Sequence, residues 1–451
     1  MKNLYTSLIS GAAFPLHEKL KGHTTVSVKK AMENSQWWSR EVLEAYRVQR
    51  LQAFLSQVYA HVPYYRSLFD RLGFDVSSVK SVTDLQQLPF LDKKLIKENQ
   101  QDLKADNATR LSQFNTGGSS GEPLVFFIGH SRVSHDVAAK WRATRWWDVD
   151  IGDKEIVLWG SPIELGAQDR FRLLRDRMFR STLLPAFEMS ETHLNEFIVA
   201  IRSIRPRMLF GYPSVLAHIA QHAENRGLPL DDLGIKVAFV TSERLYQEQR
   251  EKIERRFGCK VANGYGGRDA GFIAHECSEG GMHITAEDII VEIVDSQGKV
   301  VPDGESGEVV ITHLCTDDFP FIRYRTGDVA SLSTETCSCG RGLPMLKEIH
   351  GRTTDFIIAA DGTVMHGLAL IYVLREMEAI KSFKIIQETL EWTRVEVVGD
   401  ECFSEQHVAN IKSGFKQRLG ENVSIDVERV EKIKPERSGK YRYVISKVAV
   451  T

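Results

Sequence analysis

Four short runs of small, hydroxylated and charged residues stand out along the chain, each with a chemistry that its side chains could serve. Thr116-Gly117-Gly118-Ser119-Ser120-Gly121-Glu122-Pro123-Leu124 mixes glycines with hydroxyls. Glycines let backbone N–H groups approach an anion closely and the hydroxyls add donors, so such a loop can cradle phosphate. It lacks the Gly-Lys-Ser/Thr ending of a Walker loop and the spacing of a dinucleotide fingerprint. Alone it reads equally well as a flexible linker. In Asn263-Gly264-Tyr265-Gly266-Gly267-Arg268-Asp269 a tyrosine between glycines can lie flat on a base, and Asp269 can hold a metal or a polar group. Alone it reads as a glycine-rich turn. Tyr324-Arg325-Thr326-Gly327-Asp328 places a carboxylate at a strand end, suited to ribose hydroxyls, and Ser438-Gly439-Lys440 places a lysine in a late loop.

The chain has 6 cysteines, too few for a disulfide scaffold. Cys337 and Cys339 stand one residue apart, and Cys277 with His283 or with His275 could complete a second pair. Four such ligands suit a closed structural zinc site, and two cysteines at that spacing are hard to explain by packing. Cys259, Cys315 and Cys402 have no partner in this reading and are expected to be core or surface thiols. Arg170, Arg172, Arg175, Arg177 and Arg180 could receive a phosphate, such as the 3′-phosphate of coenzyme A. The simpler expectation is a solvated helix face whose Phe171, Leu174 and Met178 point inward.

These runs need elements to position them. The 451 residues are long enough for two or three domains, and 42% apolar with 26% charged is ordinary globular composition. Lys plus Arg total 58 against 60 for Asp plus Glu, a net charge of -2 that gives no electrostatic reason for a nucleic-acid or membrane-surface partner. No apolar run approaches the ~18 residues of a membrane span. The mildly apolar stretch from Leu4 to Leu16 is interrupted by polar residues and has no cleavage site, so a cytoplasmic protein is expected. Residues 36–70 carry helical periodicity that Pro63 should end or kink. Between 150 and 260, short apolar runs alternate with helical periods, predicting βα units and a mainly parallel sheet. Residues 281–330 predict a mixed or antiparallel β region. After Gly351-Arg352 the pattern is that of a small α+β unit of about a hundred residues. The expected fold is therefore α/β: a large N-terminal domain over 1–351 with a β-rich subdomain, and a C-terminal domain over 352–451.

The order TGGSSGEPL, YGGRD, YRTGD, GRTTD (351–355) and SGK resembles that of the acyl-adenylate-forming superfamily. Within it, GYPSVLAHIA (211–220), Cys-Gly-Arg at 339–341 and the short C-terminal unit make the chain look most like the phenylacetate–CoA ligase branch and its capsule-biosynthesis relatives. The resemblance runs from about residue 40 to 447.

It implies two-step chemistry: an aryl or small carboxylic acid attacks the α-phosphate of Mg-ATP to give an acyl-adenylate, and a thiol, usually of coenzyme A, then displaces AMP. Matched position by position, Thr116, Gly117, Ser119, Ser120 and Gly121 would form the phosphate loop. Tyr265 would stack on adenine beside Gly266 and the backbone of Thr241-Ser242-Glu243. Asp269 stands where a glutamate usually helps bind Mg²⁺, one methylene shorter. Asp328 would accept from ribose hydroxyls and Arg352 would approach ribose or phosphate. Lys440 would be the lysine that neutralises charge in adenylation, carried by a C-terminal domain that rotates on a hinge at 351–355. The hinge position that is usually acidic holds Thr354, followed by Asp355. Members of the branch hold a structural zinc by a Cys…His pair and a Cys-x-Cys pair, which points to Cys277, His283, Cys337 and Cys339, with His275 in reserve. Trp141, Trp146 and Trp147 are candidates for an aromatic wall of the acid pocket, or a helix face packed on the core. Two other readings stand beside the ligase: an adenylating enzyme whose acceptor is a carrier-protein thiol, an amine or a hydroxyl, and a non-catalytic nucleotide-binding scaffold.

Overall fold

The computed structural model describes residues 3–116, 124–159, 170–186, 188–295, 297–349, 356–433 and 444–448. Short runs such as Met208–Gly211 and Val237–Thr241 are buried along nearly their whole length, as strands covered on both faces must be. With Ser181–Pro185, Glu155–Trp159 and Lys260–Gly267 they make five parallel strands. The amphipathic stretches between them fold as helices Glu191–Ile204, Pro213–Asn225 and Gln247–Phe257. Phe197, Ile201, Leu216, Ile219, Ile253 and Phe257 turn into one core with the sheet. The helix boundaries follow local chemistry: Ser190 caps one start, Pro213 opens another, and Gly258 at φ +61° ends the third.

The antiparallel, β-rich part expected from the sequence is joined edge to edge to the parallel strands. Gly271–Glu276, Met282–Ile284, Met345–Ile349, Tyr324–Leu332, Ser306–His313 and Ile289–Val294 continue the same sheet to eleven strands. The change of direction falls at Lys260–Gly267, parallel to Val237–Thr241 on one side and antiparallel to Gly271–Glu276 on the other. A helix crossover returns the chain parallel, whereas the few residues after Gly267 permit only a hairpin.

Pro63 does not merely end a helix. Arg40–His61 stops at the extended residue Val62, and Pro63 is the first residue of a new helix, Pro63–Leu72, where its missing N–H costs nothing. The arginine-rich helix Arg170–Phe179 also departs from expectation. Leu174 is 68% exposed and Met178 is 36% exposed, so these two of the residues expected to point inward look out.

The C-terminal part is α+β, with its own core of Leu370, Leu374, Phe383, Ile385, Val395, Ile411 and Phe415. Its sheet runs in the order Ser424–Arg429, Trp392–Gly399, Ile380–Gln387, Val444–Ser446. The hairpin of Phe356–Ile358 and Val364–His366 takes Glu188–Met189 from the larger part as a third strand.

Candidate active site

The parallel ladder ends at the pair Thr241 and Gly264. Tyr265 to Gly267 therefore run past the carboxyl end of their parallel neighbour, at the switch between parallel and antiparallel pairing. Open α/β sheets bind ligands outside the carboxyl ends of their parallel strands. Glycine is required here for close approach: a Cβ on Gly264 would lie 2.8 Å from the Phe239 ring, and one on Gly266 would lie 2.2 Å from the Gly271 carbonyl.

Two motifs far apart in sequence hold each other. Tyr265 Oη bonds Asp328 Oδ2 at 3.1 Å, and Tyr324 Oη donates to Asp269 Oδ2 at 2.7 Å. Each motif thus supplies a tyrosine to the other's aspartate, leaving both carboxylates half-exposed. Asp328 is aimed by an irregularity in the ladder. Gly327 sits at φ +76°, Thr326 Oγ1 donates to the Val309 carbonyl at 2.9 Å, and the Asp328 N–H donates back to Thr326 Oγ1 at 3.1 Å. Ser242 follows the Val237–Thr241 strand at φ +73°, a strained conformation for a non-glycine residue, and Ser214 Oγ donates to the Glu243 carboxylate beside it.

Sequence reasoning passed over Arg132, which is almost wholly buried on helix His130–Arg145. Its guanidinium donates to the carbonyls of Arg268 and Asp269, at 2.9 Å each, and pairs with Asp136 at 3.3 Å. Burial alone would raise Asp136, but Arg132 and His313 outweigh it and hold the carboxyl below its usual range. A buried arginine with carbonyl-satisfied donors fixes the turn that carries Asp269. The only sequence signal was a charged residue on the apolar face of a helix.

Beyond Asp136 the polar network continues. The Cys315 N–H donates to His313 Nδ1 at 3.3 Å, and His135 Nδ1 meets both Asp288 oxygens at 2.8 Å. Cys315 is a buried free thiol, as expected, and it is hydrogen-bonded into this network. Its Sγ lies 3.0 Å from Arg50 and 3.3 Å from Asp288. His135, Asp288 and Cys315 sit close enough to hold a metal, but the Arg50 guanidinium already supplies the positive charge.

Thr116 and Leu124, which flank the glycine- and serine-rich run, are bonded to each other. Thr116 Oγ1 accepts from the Leu124 N–H at 2.9 Å, and Ser112–Asn115 pairs with Val125–Ile128 on either side. Gly117, Ser119, Ser120, Gly121, Arg352, Thr354, Asp355 and Lys440 lie outside the described residues.

Cys277, His283, Cys337 and Cys339 bring four ligand atoms within 4.8 Å of one another. Cys277 Sγ and Cys337 Sγ are 3.6 Å apart, and Cys339 Sγ is 3.2 Å from His283 Nε2. Bonds of ~2.3 Å to a tetrahedral zinc would set such atoms about 3.8 Å apart, so the cluster fits that ion. Two similar turns shape it. The Gly280 N–H donates to the Cys277 carbonyl at 2.9 Å and the Gly340 N–H to the Cys337 carbonyl at 3.1 Å, each glycine at positive φ. A Cβ on Gly281 would lie 2.6 Å from Cys337 Sγ. His283 Nδ1–H donates to the Leu343 carbonyl at 3.3 Å, which turns the Nε2 lone pair toward the sulfurs. Burial pushes His283 down to about 4, keeping the imidazole neutral, and pushes the Cys277 thiol up to about 12, a cost that a bound cation would reverse. His275 is outside the cluster, its ring stacked on Phe272.

The three tryptophans are not at the crevice. Trp141 packs on Phe14 and donates to Asp150, Trp146 lies edge-on to His283, and Trp147 donates to the Glu276 carbonyl at 2.9 Å. At the carboxyl ends of the parallel strands stand Trp159 and Tyr212 instead, their rings stacked at 4.6 Å.

Fold and crevice together define a nucleotide-binding α/β architecture, and residues 55–316 match the family described as AMP-binding enzyme. That match covers more than half of the chain, which belongs to this family. Residues 357–447 match the CapK C-terminal domain. Phenylacetate-coenzyme A ligase of Thermus thermophilus is 25% identical over 383 residues, 81% of this chain and 83% of that protein. Protein CapK of Staphylococcus aureus is 23% identical over 412 residues, 89% and 88%. The solved structure of 2-hydroxyisobutyryl-CoA ligase with 2-HIB-AMP and CoA in the thioesterification state shares the fold, with TM-score 0.66, 21% identity and coverage of 92% of this chain and 91% of that one.

Proposed function

We propose that the chain activates a carboxylic acid with ATP and passes the acyl group to the thiol of coenzyme A. The observation that carries this is the reciprocal pair of Tyr–Asp bonds beyond the carboxyl end of the parallel strands, in a chain of the AMP-binding family. In the first step a carboxylate oxygen bonds to the α-phosphorus and the bond to the bridging oxygen breaks, releasing pyrophosphate. In the second a thiolate bonds to the acyl carbon and AMP leaves, the thiol proton passing to solvent. The protein's part is placement and charge stabilisation.

Asp328 receives the ribose hydroxyls, with Tyr265 and Gly266 against the base and Ser242 and Glu243 beside them. The loop from Thr116 through Gly117, Ser119, Ser120 and Gly121 encloses the phosphates. Asp269, a hard oxygen donor open on one side, suits Mg²⁺, which when bound neutralises phosphate charge. Lys440 acts on the α-phosphate; it stands four residues before Val444, which is paired in register with Ile385 of the C-terminal sheet. Arg352 approaches the nucleotide from the segment 351–355, about which the domain 352–451 turns relative to 1–351. Zn²⁺ held by Cys277, His283, Cys337 and Cys339 is structural: four protein ligands leave no open position. It ties the strand after Asp269 to the loop after Asp328.

ATP–pyrophosphate exchange across a panel of aryl and small aliphatic acids tests the first step. Exchange with one acid class supports the reading, and none with any acid, despite nucleotide binding, supports a scaffold. A second reading keeps the adenylation step and passes the acyl group to a carrier-protein thiol, an amine or a hydroxyl. Acyl-adenylate that accumulates unchanged when coenzyme A is added would select it.

A further inference from the structure

Gln387 ends the strand Ile380–Gln387 of the C-terminal sheet and is fully buried. A side-chain amide offers an oxygen acceptor and two N–H donors, and burying it is unfavourable unless those atoms are paired. Here they are paired with two different segments. Oε1 accepts the Ile358 N–H at 3.0 Å and Nε2 donates to the Ile358 carbonyl, so the amide takes both backbone groups of one residue, as an antiparallel strand would. Oε1 also accepts from Ser446 Oγ at 2.9 Å, and the Gln387 carbonyl accepts the Lys447 N–H at 2.9 Å. Methionine would fill the same space with no amide to satisfy, so packing does not explain the choice.

The two segments matter for the chemistry. Ile358 lies three residues after Asp355, where the expected hinge ends. In this arrangement it is buried in one core with Ala186 and Met189 of the larger part, and its hairpin partner Val364 pairs with Met189. Ser446 ends the strand Val444–Ser446, which follows Lys440 by four residues. That strand is a short sheet edge held by three parallel pairs, Ile385 with Val444, Ile386 with Ile445 and Gln387 with Ser446. Parallel pairing is the less stable kind, and Ser446 Oγ adds a side-chain bond to the last pair.

We propose that Gln387 is a positioning residue for adenylation: its amide clasps the strand leaving the hinge to the strand that anchors Lys440. The lysine thereby takes its place from the hinge and from the larger part behind it. The inference rests on the roles given above to Lys440 and to 351–355. Gln387 touches no reacting atom, and its effect is geometric. Misplacing a catalytic group by about 1 Å can slow a reaction about a hundredfold. Transfer to the thiol needs no charge from Lys440 and should not depend on the clasp.

The test compares the two half-reactions in the full chain, using the acid that supports pyrophosphate exchange. Gln387→Met keeps the volume and removes the clasp. It should slow single-turnover acyl-adenylate formation about tenfold or more at saturating Mg-ATP, with KM for Mg-ATP within roughly twofold of the parent. Thioester formation from added acyl-adenylate and coenzyme A should stay within about twofold, a split that a merely structural residue does not produce. Ser446→Ala deletes the one side-chain bond from the lysine's strand and should slow the same step about threefold or more. Should Gln387→Met prove unfolded by its melting curve, Ser446→Ala decides. Equal loss of both half-reactions in folded protein overturns the proposal and leaves the function standing. So does adenylation at the parent rate in the clasp variants beside a slow Lys440→Ala. A parent rate in Lys440→Ala, or exchange with no acid, overturns the reading beneath the proposal and the proposal with it.

Discussion

Removing one oxygen atom, by Tyr324→Phe, isolates the bond that aims Asp269. The Tyr324 ring is fully buried, edge-on to Phe321 at 5.1 Å, so phenylalanine keeps the packing and loses only the 2.7 Å bond to the carboxylate. A hydrogen bond to a charged acceptor contributes about 1.5–3 kcal/mol, and because water can reach half-exposed Asp269 we expect ~1–2 kcal/mol to be lost. That corresponds to a factor of about 5–30. If the bond positions the carboxylate for Mg-ATP, the loss falls on kcat/KM for Mg-ATP in pyrophosphate exchange at saturating acid. The melting temperature should drop by only about 2 °C in a chain of this size. Tyr265→Phe, which gives up the longer 3.1 Å bond to Asp328, should have a smaller effect. Exchange within twofold of the parent at every Mg-ATP concentration, while Asp269→Ala is inactive, would show that the tyrosine does not position Asp269.

Lys440→Ala should leave ATP binding nearly intact and slow adenylation by about two orders of magnitude or more, the scale of one lost transition-state charge partner; single-turnover acyl-adenylate formation at the parent rate refutes the assignment. Protein purified without chelator should carry about one zinc per chain by elemental analysis, and Cys337→Ser should lower both zinc content and melting temperature. Gly281→Ala should do the same through the sulfur it crowds. A zinc-free, fully active preparation removes the site. Burial would raise Asp288, but His135, Arg50 and His313 outweigh it and hold its carboxyl well below the ordinary 3.8. Its folded pKa is depressed, so its stabilisation is complete above that ordinary value and is lost as pH falls further. Asp288→Asn should therefore unfold at lower urea than the parent at pH 7, with the gap narrowing below about pH 4; a gap independent of pH refutes the linkage.

Local pattern by itself determined the element types and the order of the motifs. Apolar runs of four or five residues between helical periods specify buried strands and crossovers, because side-chain periodicity is a property of the chain alone. The α+β character of the C-terminal part was legible for the same reason. Tertiary structure alone decided what faces what. That Tyr265 reaches Asp328 while Tyr324 reaches Asp269 depends on strand order and on a ladder irregularity at Thr326 to Asp328, which no local window contains. His283, not His275, faces the three cysteines because the two histidines are paired residues on neighbouring antiparallel strands, and only the fold determines which ring turns toward the loop at 337–339. Arg132 resembled any helix charge until two carbonyls from a distant turn closed on it. Leu174 and Met178 had the spacing of a buried face, yet spacing fixes only that residues share a side of a helix; whether that side meets core or solvent depends on what packs against it.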